Sequence, residues 1–147
     1  MSSKKYVLMA IKPQYARLIR DRKKTVELRR VAPKVTAGDI LVIYESAPVC
    51  KITSFAEIDQ VIQMPPENLW ESIGTFAMLD KYDFDNYFSG KQIGNGIRIK
   101  NVVNLTTPKP INVLPHCVVP QNYRYLSEED FCLLYFDELR QDKPPIP

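Results

Sequence analysis

The chain has 147 residues, 45% hydrophobic and 25% charged, the balance of one globular domain with a full core. No apolar run approaches the roughly 20 residues of a membrane span, and the run near the N-terminus is too short for a secretory h-region. Three widely spaced cysteines, Cys50, Cys117 and Cys132, offer neither a disulfide framework nor a C-x-x-C metal site, so the expectation is a cytoplasmic protein with reduced thiols.

Net charge is +3, but residues 1–30 hold ten Lys/Arg against Asp21 and Glu27, a balance of +8 that leaves −5 for the rest. Two readings follow. Either a basic surface faces an anion, nucleic acid first, or a solvated helix face is balanced by acids from elsewhere in the fold. Twelve prolines against five glycines imply defined turns and interrupted elements.

Residues 5–11 read as a buried first strand, broken by Lys12-Pro13. Pro13 suits the first turn of a helix, where its missing N–H is not needed. Residues 13–22 then read as a short helix with Tyr15, Leu18 and Ile19 toward the core and Arg17, Arg20 and Asp21 outward. A strand over Lys23–Arg30 follows. Residues 31–37 form a loop, and Gly38-Asp39 is a tight turn. Residues 40–46 (Ile-Leu-Val-Ile-Tyr-Glu-Ser) are the clearest strand, and their continuous apolar start implies burial on both faces, as in a closed barrel. Ala47-Pro48 ends it. Val49 to Phe55 is another strand, running on with a bend toward Ile62.

Pro65-Pro66-Glu67 opens a helix carrying Leu69 and Trp70, which Gly74 closes. Residues 75–88 hold Phe76, Leu79, Tyr82, Phe84, Tyr87 and Phe88 and read as an aromatic cover over the sheet. Residues 96–103 alternate at first, a strand with Arg98 and Lys100 on its wet face. Residues 108–120 are extended, and Pro120–Leu126 leads into a last helix. Ser127 is its N-cap, with Asp130 at the fourth place of a capping-box-like pattern and Phe131, Leu134, Tyr135 and Leu139 as its packing stripe. The tail from Lys143 is loose. The fold class expected is mainly β with flanking helices (α+β), a small barrel-like sheet with helices outside.

The stretch that carries chemistry is Lys23–Arg30. Along a strand Thr25, Glu27 and Arg29 point one way and Val26 and Leu28 the other. The first set puts a hydroxyl, a carboxylate and a guanidinium in a row, neighbours roughly 6–7 Å apart. Such a row is either a solvated sheet face or the wall of a pocket.

At Lys12-Pro13, at Lys24-Thr25-x-Glu27-x-Arg29, and at Gly38-Asp39 with the strand ending Tyr44-Glu45-Ser46-Ala47-Pro48, the sequence resembles the ASCH domain family of the PUA-like superfamily. The family pattern is a K-P turn before a helix, a G-x-K-T-x-E-x-R strand, and a G-D turn leading into a strand that ends near Y-x-S. The match is densest over residues 10–48. Asp21 or Arg22 stands where the pattern has glycine, so the turn there is expected to use a different geometry. The expected organisation is a single domain over 1–147, with a motif core at about 5–103 and a C-terminal extension, 104–147, packed on it.

The resemblance implies a PUA-like β-barrel with a cleft beside it, a ligand that is RNA, another nucleic acid or a modified nucleoside, and a regulatory role. No cofactor, metal or membrane is expected. Some family members are enzymes. One group removes the acetyl group of N4-acetylcytidine with a lysine and a threonine of this strand. Aligned on K-T, those positions are Lys24 and Glu27, and a carboxylate cannot serve as that alkoxide nucleophile. Others are described as RNA-cutting. The expectation is binding. Its alternative is a hydrolase, either N4-acylcytidine amidohydrolase-like or RNA-cleaving, with Lys24 and Glu27 as the acid–base pair. A third class is a protein-interaction module whose basic face is only solvated.

The candidate binding residues are Lys12, Lys24, Glu27, Arg29, Tyr44 and Ser46. Lys12 precedes a helix start, a natural anion position, or is an ordinary turn lysine. Lys24 is a phosphate contact, a base with a burial-lowered pKa, or a solvated lysine. Glu27 and Arg29 either pair on a sheet face or read an amino edge and a phosphate. Tyr44 stacks on a base or packs in the core, with Ser46 beside it. Tyr123-Arg124-Tyr125 suits single-stranded nucleic acid or serves as a packing staple. His116-Cys117 falls short of the four ligands a structural metal needs.

Overall fold

Side-chain alternation divides the strands between two cores, and the computed structural model, describing residues 3–115 and 118–134, has both. Its strands are β1 (Tyr6–Ile11), β2 (Val26–Arg29), β3 (Ile40–Glu45), β4 (Lys51–Met64), β5 (Gly94–Lys109) and β6 (Tyr123–Leu126). Its helices are α1 (Pro13–Arg20), α2 (Pro66–Ile73) and α3 (Lys81–Tyr87), with 3-10 turns at Gly74–Ala77 and Ile111–Val113. Residues 128–134 are helical again. The sheet order is β2-β5-β4-β3-β1-β6, curled into a half-barrel. β1 and β3 run parallel, and the other pairs are antiparallel.

Val7, Met9 and Ile11 of β1 meet Leu41, Ile43, Ala56, Ile58, Ile97 and Ile99 inside the curl, and Ala16 and Ile19 of α1 pack on this cluster. The intervening residues, Tyr6, Leu8, Val42, Tyr44, Ile52 and Phe55, form a second core on the outer face. Leu105, Leu114, Leu126, Phe131 and Leu134 cover it, and Phe131 stacks on Tyr6 at 4.6 Å. β1 and β3 are thus buried on both faces, which explains their unbroken apolar runs. A third cluster joins Val26 and Leu28 of β2 to Leu69, Ile73, Phe84 and Phe88.

The strand after Pro48 does run on with a bend, as expected: β4 reaches Met64, bent where its pairing shifts near Ser54, Glu57 and Gln60. Several other expectations change. β5 continues past 103 to Lys109, so the sheet crosses the expected limit of the motif core. Residues 123–126 are a strand paired with β1 rather than a lead-in. Part of the proline-punctuated stretch forms the second 3-10 turn. In α1 the buried residues are Ala16 and Ile19, with Tyr15 packed partly against the core. Arg20 turns to an ion pair instead of to water. The aromatic cover is divided: Phe84 and Phe88 are buried, but Phe76 and Tyr82 are exposed.

The turn after α1 also differs from expectation. Lys23 N–H bonds to Leu18 O and Arg22 N–H to Ile19 O, both at 2.9 Å, the hydrogen bonds of a Schellman ending. Arg22 takes the left-handed position itself, at φ 60°, so the turn keeps the geometry that glycine favours. A non-glycine residue there costs roughly 1–2 kcal/mol, offset in part by Arg22 Nη2 donating to Val102 O at 3.0 Å. Ser127 caps as expected, its Oγ accepting from Asp130 N–H at 3.0 Å. His116, Cys117, Tyr135, Leu139 and the tail from Lys143 lie outside the described residues. Among the described residues no helix is long and apolar enough to cross a membrane.

Candidate nucleic-acid interface

β2 is an edge strand, held to β5 from Val26↔Arg98 to Arg29↔Asn95. Asn95 pins its end, donating to Arg29 O and Arg30 O at 3.1 Å each while accepting from Gln63 at 2.7 Å. With Val26 and Leu28 committed to the helix side, Glu27 and Arg29 face the concave side. Arg29 spans from β2 to β1: its Nη2 donates to Ala10 O at 2.9 Å and its Nε to Met9 Sδ at 3.0 Å. The two strands are not neighbours in the sheet, so this guanidinium ties the curl together.

Lys24 is 2% exposed and Glu27 7%. Lys24 Nζ donates to Ala77 O at 2.5 Å, lies 3.6 Å from Glu27 Oε1 and faces the Tyr15 ring at 5.2 Å. Burial pushes the Lys24 ammonium below its ordinary value and the Arg29 charge adds to that, while Glu27 opposes both. The lysine is held inside the protein under the 3-10 turn.

The other expected residues divide. Lys12 is exposed at the start of α1, with no side-chain cap there. Tyr44 is only 4% exposed and packs in the outer core, facing away from the concave side. Burial raises the Tyr44 pKa, and a hydrogen bond to Cys50 raises it further. Ser46 Oγ donates to Ile11 O at 3.3 Å. The structure therefore brings Lys24 and Glu27 together, uses Arg29 as a brace, and sets Tyr44 in the core. The residue between Tyr44 and Ser46 is one that sequence reasoning passed over. Glu45 is 1% exposed and holds Arg20 through both carboxylate oxygens, at 2.9 and 3.2 Å.

The basic N-terminal segment splits in the same way. Arg20, Arg22, Lys24 and Arg29 are spent on internal partners. Arg30 lies over the Tyr87 ring at 4.7 Å and Lys5 Nζ donates to Lys34 O. Lys12, Arg17 and Lys23 are exposed and pair with no carboxylate among the described residues. Where β2 begins, Thr25 N–H donates to Phe76 O at 3.1 Å, so the turn that covers Lys24 also sets Phe76 beside the strand.

A family model described as the ASCH domain matches residues 9–110, well over half of the chain. The chain belongs to the ASCH domain family. This ASCH domain is 28% identical over 134 residues to a Zymomonas mobilis protein named "ASCH domain-containing ribonuclease", covering 86% of this chain and 88% of that one. A crystal structure of ASCH from Zymomonas mobilis has a TM-score of 0.85 at 24% identity, covering 91% of this chain and 96% of the other. The N-terminal domain of Staphylothermus marinus McrB is more distant, with a TM-score of 0.60 at 10% identity over 92% and 95% of the two chains. These structural likenesses establish a shared fold. The motif residues of this ASCH domain sit where the fold is tied together, around β2 and α1.

Proposed function

We propose that the protein binds single-stranded RNA along the α1–β2 side of the half-barrel. The observation that carries this reading is the division of the N-terminal cations. Four of the segment's ten cations, Arg20, Arg22, Lys24 and Arg29, are used inside the fold, while Lys12, Arg17 and Lys23 stand exposed around the family's motif strand and pair with no carboxylate among the described residues. Surface cations left without carboxylates favour a polyanion, whose counterions are released on binding. The name of the Zymomonas relative points to RNA as that polyanion.

Fluorescence anisotropy with a short single-stranded RNA at about 50 and 200 mM salt tests it, wild type against the triple variant Lys12→Glu/Arg17→Glu/Lys23→Glu. Three phosphate contacts weaken wild-type binding about tenfold or more across that salt range, and the triple variant loses at least as much at low salt. Absence of binding at low salt, or equal binding by the triple variant, overturns the reading.

A second reading, RNA cleavage, is favoured by the lowered pKa of Lys24 beside Glu27 and by the relative's name. Glu27 would take the proton of a 2′-hydroxyl as its oxygen attacks phosphorus. Lys24 would protonate the leaving 5′-oxygen, closing a 2′,3′-cyclic phosphate. Both groups are covered, so the Gly74–Ala77 turn has to lift from Lys24 for a phosphate to approach. Wild type then fragments RNA but not DNA of the same sequence, and Glu27→Gln, folded by circular dichroism, leaves RNA whole. RNA left intact by wild type removes this reading and leaves the first.

A further inference from the structure

Beside the 3-10 turn lies a hollow of about 180 Å³, lined by Thr25, Asp59, Phe76, Arg98 and Ile99. We propose that it receives one unpaired base of single-stranded RNA. The proposal rests on the RNA-binding reading above and deepens it by giving that surface a base subsite.

Phe76 is 49% exposed while the next residue, Ala77, is buried in the cluster that also holds Phe84 and Phe88, so its ring is left at the surface. The Arg98 guanidinium stands 5.8 Å from its centroid. A ring flanked by a guanidinium is the pair of groups with which single-strand binders stack bases without reading their sequence. Asp59 also lines the hollow, its carboxylate held by Lys100 at 3.3 Å, and there it accepts from an exocyclic amine such as that of cytosine. The hollow is smaller than the pockets that enclose whole drug-sized ligands, which suits one flat ring inserted from outside. A base stacked in a duplex cannot enter; a splayed base of a single strand can.

Position supports the same occupant. Phe76 O accepts from Thr25 N–H, and Ala77 O, the next carbonyl, holds the Lys24 ammonium. A base on Phe76 therefore lies one residue along the turn from the Lys24–Glu27 pair. Exposed Lys23 lies two residues before Thr25, so the backbone leading to that base meets positive charge.

The test uses the full chain in fluorescence anisotropy, with a short single-stranded RNA and an abasic oligonucleotide of equal length that keeps the phosphates. The proteins are wild type, Phe76→Ala and Phe76→Trp, with melting temperatures measured alongside; the exposed ring leaves the fold intact. Phe76→Ala weakens binding of the RNA about tenfold, Phe76→Trp retains it, and the abasic strand binds all three alike. Equal RNA binding by Phe76→Ala, or an equal loss on the abasic strand, overturns the base subsite while the RNA reading stands. Failure of wild type to bind either strand overturns both.

Discussion

Lys24 and Lys100 each stand 3.6 Å from a glutamate oxygen, Lys24 from Glu27 and Lys100 from Glu57. At Lys24 water is excluded, and the ammonium is pushed below its ordinary pKa by its own desolvation. At Lys100 the side chain is 49% exposed and Asp59 adds a second carboxylate at 3.3 Å. There the hydrogen bond to Asp59 and the charge of Glu57 raise the pKa. At the same distance from a glutamate, burial outweighs the carboxylate at Lys24, while at Lys100 the second carboxylate and the open solvent leave attraction ahead. An ion pair at the surface is a minor contributor, whereas a buried one makes each charge dependent on the other.

Removing one buried partner breaks the comparison most strongly. Glu27→Ala leaves the Lys24 ammonium buried opposite no carboxylate, and urea unfolding is expected to show a loss of about 3–5 kcal/mol. The double variant Lys24→Met/Glu27→Leu recovers most of that loss, because neither position then buries a charge. A double variant no better than Glu27→Ala would mean that the contact with Ala77, not charge burial, sets the cost.

The pH dependence sharpens the comparison more gently. Lys24 has a folded pKa below its unfolded 10.5, so between the two values the unfolded chain binds more protons and stability rises with pH. Lys100 has a folded pKa above 10.5, so its contribution is present below 10.5 and is lost as pH climbs beyond it. The difference in unfolding free energy between wild type and Lys24→Met is therefore expected to move in favour of wild type as pH approaches 10.5. The difference from Lys100→Met is flat there and falls above it. Urea midpoints across alkaline pH measure both. A flat Lys24 difference below 10.5 would mean that water reaches the ammonium.

Much of the fold could be read locally. The apolar runs of β1 and β3, Pro13 and Pro66 at helix starts, the Gly38-Asp39 turn and the Ser127 cap are short-range features, and each lies where pattern reasoning puts it. Most of what escaped was set by partners far along the chain. β6 is four residues long and exists because the free edge of β1 accepts it. Arg22 gives no local sign of a left-handed residue, yet the helix ending imposes one. Phe76 resembles Phe84 and Phe88 in sequence, and only the folded chain separates the exposed ring from the two buried ones.

The candidate site divides in the same way. Sequence by itself determined the family, the centre of the motif strand (Val26–Arg29 of the expected Lys23–Arg30) and the alternation that sends Val26 and Leu28 to one side and Glu27 and Arg29 to the other, because a two-residue period is a property of any strand. Only the tertiary structure decided what those charges do. Arg29 became a brace because the curl of the sheet brings Ala10 O within 2.9 Å. Lys24 lost its water because the turn at Gly74–Ala77 closes over it, and desolvation depends on everything packed around a group rather than on its neighbours in the chain.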